Sequence, residues 1–133
     1  IKQRPFGRRK GFFMESKLLA LSAIKILDEK KAADLSLIQI DEISSLADYF
    51  VLATGTSGTH VKALADEVEF RLKNEQGAEP SHIEGYRSNS WILLDYGSAV
   101  IHVFTKEARQ FYDLDRLWQD GAAVDLSEVI KEN

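Results

Sequence analysis

The chain has 133 residues, is 44% hydrophobic and 29% charged, and contains no cysteine. That size suits one domain able to bury roughly two-thirds of its unfolded surface, and the missing thiols exclude disulfides, thiolate metal sites and cysteine nucleophiles. The net charge of −4 divides into +5 over residues 1–13 and −9 over residues 14–133, and an acidic body repels phosphate backbones while approaching a basic protein quickly.

In chain order, residues 1–13 carry Lys2, Arg4, Arg8, Arg9 and Lys10 and no acid. They are expected to be a basic extension before Met14: expression-derived sequence, an upstream start, or the stub of an organellar transit peptide. The domain is expected over residues 14–120, with a tail over 121–133. From Met14 to Lys31, Leu18, Leu21, Ala23, Ile24 and Leu27 form an i, i+3, i+4 stripe, which predicts an amphipathic helix. Leu35–Ile40 alternates apolar with polar residues and predicts a half-buried strand. The run 48–54 (DYFVLAT) predicts a central strand buried on both faces. A helix is predicted over 58–76, capped by Ser57 or Thr59, carrying Val61, Leu64, Ala65, Val68 and Leu72, and stopped by Gly77. A short strand is predicted over 81–86. A hairpin over 90–95 and 98–104 turns at Asp95-Tyr96-Gly97-Ser98. One or two short helices are predicted over 107–118, where Phe111, Leu114 and Trp118 form an i, i+3, i+7 stripe that suits docking on the body.

These elements predict an α/β fold: a mixed sheet of about five strands flanked by helices. The turn Gly55-Thr56-Ser57-Gly58 lies where a phosphate loop would sit, but its spacing matches neither G-x-x-x-x-G-K-[ST] nor G-x-G-x-x-G. A capped βα turn is the simpler reading. Catalysis on two metals needs paired carboxylates on a following strand, and only Asp95 is there, alone at a turn. His60, His82 and His102 have no ligand partner at metal spacing, and no G-x-S-x-G elbow occurs. No catalytic residue, metal or cofactor is expected. No run of about 18 apolar residues exists to span a membrane.

The hairpin is the most informative segment. Ile92, Leu94, Ile101 and Val103 share an aliphatic face that suits a helix-packed core. Trp91, Leu93 and Asp95, with Val100, His102 and Phe104, share the other. That mixed face suits partner contact, since aromatic residues dominate interface hot spots. The competing reading packs Trp91 and Phe104 under the C-terminal helices. His102 is either a satisfied sheet histidine or a contact residue.

Several stretches together resemble the ribosomal silencing factor family, also called iojap-like proteins. They are residues 31–35 (KAADL), 47–57 (ADYFVLATGTS), 84–86 (EGY), 91–97 (WILLDYG), 100–104 (VIHVF) and 109–118 (RQFYDLDRLW), in the family's order and spacing over about residues 17–120. Family members often have Asp where this chain has Ser98, a local charge difference in a turn. The resemblance implies a nucleotidyltransferase-like fold without the catalytic carboxylates. It implies binding to the large ribosomal subunit at its fourteenth protein, steric block of small-subunit association, and repression of translation under nutrient limitation. Carried onto matched positions, partner binding falls to Trp91, Leu93, Asp95, Tyr96, His102 and Phe104, then Glu84, Tyr86, Arg109 and Tyr112. Alternatives are a large-subunit assembly or maturation factor, or a nucleotide-binding enzyme of nucleotidyltransferase ancestry. The expected setting is the bacterial cytoplasm, with an organelle as the alternative. The expected partner is a basic ribosomal protein, with no direct nucleic-acid readout and no membrane. A weak homodimer through the apolar hairpin face is a further expectation for the free chain.

Overall fold

A computed structural model describes residues 10–45, 47–117 and 121–130, with backbone alone for residues 10–14 and 117. The apolar stripe near the start forms helix α1 (Lys10–Glu29). It begins upstream of Met14, and it buries Ala20, Ala23, Ile24, Ile26 and Leu27. Strand β1 (Ala33–Gln39) follows, then β2 (Tyr49–Gly55), in which every residue is buried. Helix α2 (Gly58–Gln76) keeps the expected bounds because both ends are punctuated. Ser57 Oγ accepts the His60 N–H at 3.2 Å, and Gly77, at φ 66°, closes the last turn in the left-handed region.

Strands β3 (His82–Glu84), β4 (Trp91–Asp95) and β5 (Ala99–Thr105) come next, then helices α3 (Lys106–Tyr112) and α4 (Leu114–Leu117) and strand β6 (Ala122–Ala123). The described residues form one six-stranded mixed sheet of order β3-β4-β5-β2-β1-β6. The central pair, β2 and β5, is parallel, with Leu52 beside His102; the other pairs are antiparallel. Gly85, at φ 99°, lets β3 turn tightly against the start of β4: a Cβ there would lie 1.9 Å from the Trp91 carbonyl oxygen.

Two apolar layers sandwich the sheet. The larger packs α1 and α2 on Leu37, Tyr49, Val51, Ala53, Ile92, Leu94, Ile101 and Val103. The smaller, on the opposite face, joins Ile38, Ile40, Phe50, Leu52, Val100 and Phe104 to Ala108 of α3 and Leu114 of α4.

The mixed sheet, expected at about five strands, has six. The sixth comes from the segment expected as a tail. Ala122 and Ala123 pair with Gln39 and Ile38, the Val124 N–H bonds the Leu37 carbonyl at 2.9 Å, and Leu126 is buried in the larger core. A two-residue edge strand and one anchoring leucine are too short to show periodicity. Residues 1–9 of the basic extension and 131–133 lie outside the described residues.

Candidate functional site

The hairpin alternation holds. Ile92, Leu94, Ile101 and Val103 face α1 and α2. On the other face Trp91 sits opposite Phe104, Leu93 opposite His102 and Asp95 opposite Val100. β3 extends this face at its edge, with His82 beside Asp95 and Glu84 beside Leu93.

α3 and α4 cover only part of it. Phe104 is fully buried and His102 is 2% exposed, whereas Trp91 and Leu93 are half-buried. The margin of the cover is aromatic. The Tyr112 ring lies 4.6 Å from that of Trp91, and Phe111 meets Tyr112 edge to face at 5.0 Å. Phe111 is 80% exposed and Tyr112 49%. Phe111, Tyr112, Trp91 and Leu93 thus form a continuous accessible apolar strip, bordered by the exposed Glu84, whose carboxylate hydrogen-bonds His82. Exposed aromatic clusters next to acids are the kind of surface that binds proteins.

Trp91 is held from below. Its indole Nε1–H donates to His102 Nδ1 at 3.1 Å. Because the indole nitrogen can only donate, the imidazole proton sits on Nε2. That Nε2 is buried and has no partner among the described residues. Burial holds the ring neutral, with its pKa pushed down to about 3. The ring of His102 packs against Phe50 at 4.7 Å and stacks on Phe104 at 6.0 Å.

α3 is clasped to the sheet by Arg109. Its guanidinium donates to Asp115 Oδ2 and Oδ1 at 3.0 and 2.8 Å, to Thr54 Oγ1 at 2.9 Å and to the Asp34 carbonyl at 2.6 Å. It also lies over the Phe104 ring, 5.9 Å from its centre. The pair holds the Asp115 carboxyl below its usual range.

Of the ten residues expected to meet a partner, the structure brings four together at the surface: Trp91, Leu93, Glu84 and Tyr112. The others sit differently. Phe104, packed against Ala108 and Leu114 of the covering helices, and His102, among the rings of Phe50, Trp91 and Phe104, are both buried, so neither offers a surface in the free chain. Tyr86 and Tyr96 pack against the opposite, helix-covered core. The Tyr86 hydroxyl donates to Asp66 of α2 at 2.6 Å, and the Tyr96 hydroxyl is buried, its pKa raised by that burial. Asp95 remains on the face, but its Oδ1 accepts the Gly97 N–H at 2.7 Å and braces the turn. Arg109 is spent on its clasp. Phe111, expected to dock on the body, points to solvent. Asp113 takes a left-handed conformation (φ 51°) and ends α3, so the helical stripe through Phe111 and Leu114 is broken between them. That capping-prone aspartate was the signal. Trp118, the third member, lies outside the described residues.

Comparison with known proteins decides the family. Residues 14–133 match the family model described as "Ribosomal silencing factor during starvation". The chain belongs to the ribosomal silencing factor family. It is 38% identical over 117 residues to a ribosomal silencing factor of Halalkalibacterium halodurans, covering 88% of this chain and 99% of that one. It is 35% identical to that of Bacillus subtilis, covering 85% and 95%. It is also similar to a mouse protein named for mitochondrial assembly of the ribosomal large subunit, at 32% identity, covering 71% of this chain and 42% of the relative. A crystal structure from Chromobacterium violaceum superimposes with a TM-score of 0.72 at 36% identity, covering 80% of this chain and 86% of the other.

In this silencing factor family member the Gly55–Gly58 turn is occupied by its own side chains. The Thr56 N–H donates to His60 Nδ1 at 2.9 Å, and Ser57 caps the helix. His60 Nε2 bonds the Lys30 carbonyl at 3.0 Å, which ties the turn to the end of α1. Two of the amides that a phosphate would use therefore already have partners. No helix among the described residues is long and apolar enough to cross a membrane.

Proposed function

We propose that the chain acts by binding and not by catalysis: it docks on the large ribosomal subunit, at the basic fourteenth protein, and thereby excludes the small subunit and represses translation under nutrient limitation. The observation that carries this reading is the accessible strip of Phe111, Tyr112, Trp91 and Leu93 bordered by Glu84, on a body of net charge −9 over residues 14–133. Aromatic anchors in an acidic field suit a basic protein partner. The family membership points to the ribosome, and the mouse relative's name points to the large subunit. The bacterial relatives favour a cytoplasmic setting; a mitochondrial iojap-related relative from Arabidopsis thaliana, 33% identical over 135 residues, supports an organellar one. The mouse name also supports a second reading, in which the same docking serves subunit assembly.

The test is co-sedimentation with isolated large subunits, paired with a subunit-joining gradient. The wild-type chain binds the large subunit and depletes joined ribosomes. Trp91→Ala combined with Glu84→Lys removes the anchor and reverses the bordering charge, and it abolishes both effects while the circular dichroism spectrum stays native. If that folded variant binds normally, this face is wrong. If the wild-type chain fails to bind large subunits, the reading itself is wrong. Binding without loss of joining favours the assembly role.

A further inference from the structure

We propose that His102 is a positioning residue, which fixes the Trp91 indole in its partner-competent orientation through a buried hydrogen bond. The inference rests on the docking reading above and adds to it a residue that never touches the partner.

Three observations carry it. First, His102 is 2% exposed, at the centre of the second apolar layer, between Phe50 and Phe104. A purely structural role at such a position is better filled by an apolar ring, because a buried N–H without a partner costs stability. His102 carries that cost, since its Nε2 has no partner among the described residues. Second, the other ring nitrogen is committed to one group alone, the Trp91 indole N–H at 3.1 Å. Burial keeps the ring neutral, so Nδ1 stays an acceptor across the physiological range. Third, Trp91 lies at the boundary of the covered region. One ring face meets Tyr112 at 4.6 Å, and the residue is only half-buried. A tryptophan at such an edge has room for other rotamers. A tether from beneath leaves one, and a side chain ordered in advance loses less entropy on binding. Local rules are characteristically broken where function demands it, and here the broken rule is the unsatisfied imidazole.

The test separates the tether from the packing. His102→Phe keeps an aromatic ring in the layer and removes the acceptor. His102→Asn places its Oδ1 near the position of Nδ1 and restores an acceptor with less volume. In the free chain, the Trp91 indole N–H resonance, assigned against a Trp118→Phe background, is shifted downfield and slow to exchange in the wild type. It loses both properties in His102→Phe and keeps them in His102→Asn. In large-subunit binding, His102→Phe loses ~10-fold in affinity, the worth of one hydrogen bond, although its melting temperature is equal to or above that of the wild type. His102→Asn binds better than His102→Phe despite being less stable. In a Trp91→Phe background, which lacks the indole N–H, His102→Phe has no further effect. A His102→Phe variant that binds as the wild type does, or an indole resonance indifferent to residue 102, overturns the proposal alone. An additive effect in the Trp91→Phe background also overturns it, since His102 would then act by another route. Failure of the wild-type chain to bind large subunits overturns the docking reading and this inference with it.

Discussion

Replacing Arg109 by Met tests whether the cover over the second face is held by one clasp. Methionine keeps most of the aliphatic stem and removes every donor. The lost contacts are all charge-assisted: two bonds to Asp115, at 3.0 and 2.8 Å, one to Thr54 Oγ1 at 2.9 Å, one to the Asp34 carbonyl at 2.6 Å and a longer one to Ser36 Oγ at 3.4 Å. Hydrogen bonds to charged groups contribute ~1.5–3 kcal/mol each. The sum is an upper bound, because the Asp115 side chain is 44% exposed and rehydrates when its partner leaves. The Arg109 side chain, at 12% exposure, cannot bring much water to the remaining sites. A loss of ~2–3 kcal/mol is expected, which for a chain of this length lowers the melting temperature by roughly 8–12 °C.

The pH dependence supplies the sign. The Asp115 pKa is lowered in the folded chain, first by its hydrogen bonds to Arg109. A carboxyl with a depressed folded pKa stabilises the fold fully above its unfolded value, about 3.9, and loses that contribution as pH falls through the folded value. The difference between wild type and Arg109→Met is therefore constant near neutrality and shrinks below about pH 4. Thermal melts from neutral to acid pH measure it, and faster amide exchange in α3 reports the loosened cover. Arg109→Lys keeps the charge without the fork and recovers less than half of the loss. A change under 1 kcal/mol at neutral pH, or a difference that does not narrow in acid, refutes the clasp.

Two further outcomes follow from where side chains face. Tyr86→Phe removes the bond to Asp66, costs ~1 kcal/mol in urea denaturation, and leaves large-subunit binding unchanged, because Tyr86 packs toward α2; a folded variant that binds severalfold more weakly puts Tyr86 back in the site. Leu126→Ala costs ~2–3 kcal/mol by the same measurement, as a buried leucine should, and an unchanged midpoint means that residues 121–130 contribute nothing to the core.

What was legible in the sequence is what local chemistry decides. The ends of α2 follow from Ser57 and Gly77, each of which satisfies backbone groups within a few residues. The two faces of the hairpin follow from strand alternation, which put Trp91, Leu93, His102 and Phe104 on one side. What covers that side depends on contacts far apart in the chain. Arg109 reaches the Asp34 carbonyl 75 residues away and Thr54 55 residues away. Alternation therefore gave the direction of His102 and Phe104 without their burial. It also stops at strand ends. Tyr86 and Tyr96 lie just beyond β3 and β4, where the chain turns, and their side chains go to the helix-covered face. The helical period turns Phe111 inward only if it is carried across Asp113, where the helix ends.

The proposed docking face lies where the cover runs out, and the lengths of the helices explain why. α1 and α2 have 20 and 19 residues and span ~30 Å each, enough to cover one face of the sheet. α3 has seven residues and spans ~10 Å, about the width of two strand spacings of ~4.8 Å. It covers β2 and β5 around Phe104 and ends at Tyr112, against Trp91 on β4. Trp91 consequently has one edge in a dry layer, where a hydrogen bond to His102 is not contested by water, and the other toward solvent. An apolar margin of this kind invites self-association as well as partner binding. The net −9 on residues 14–133 acts on the two differently: it repels a second copy and attracts a basic protein. Under the proposed docking, the acidity favours a partner of opposite charge for the aromatic strip, and the half-covered face gives that partner something to bury.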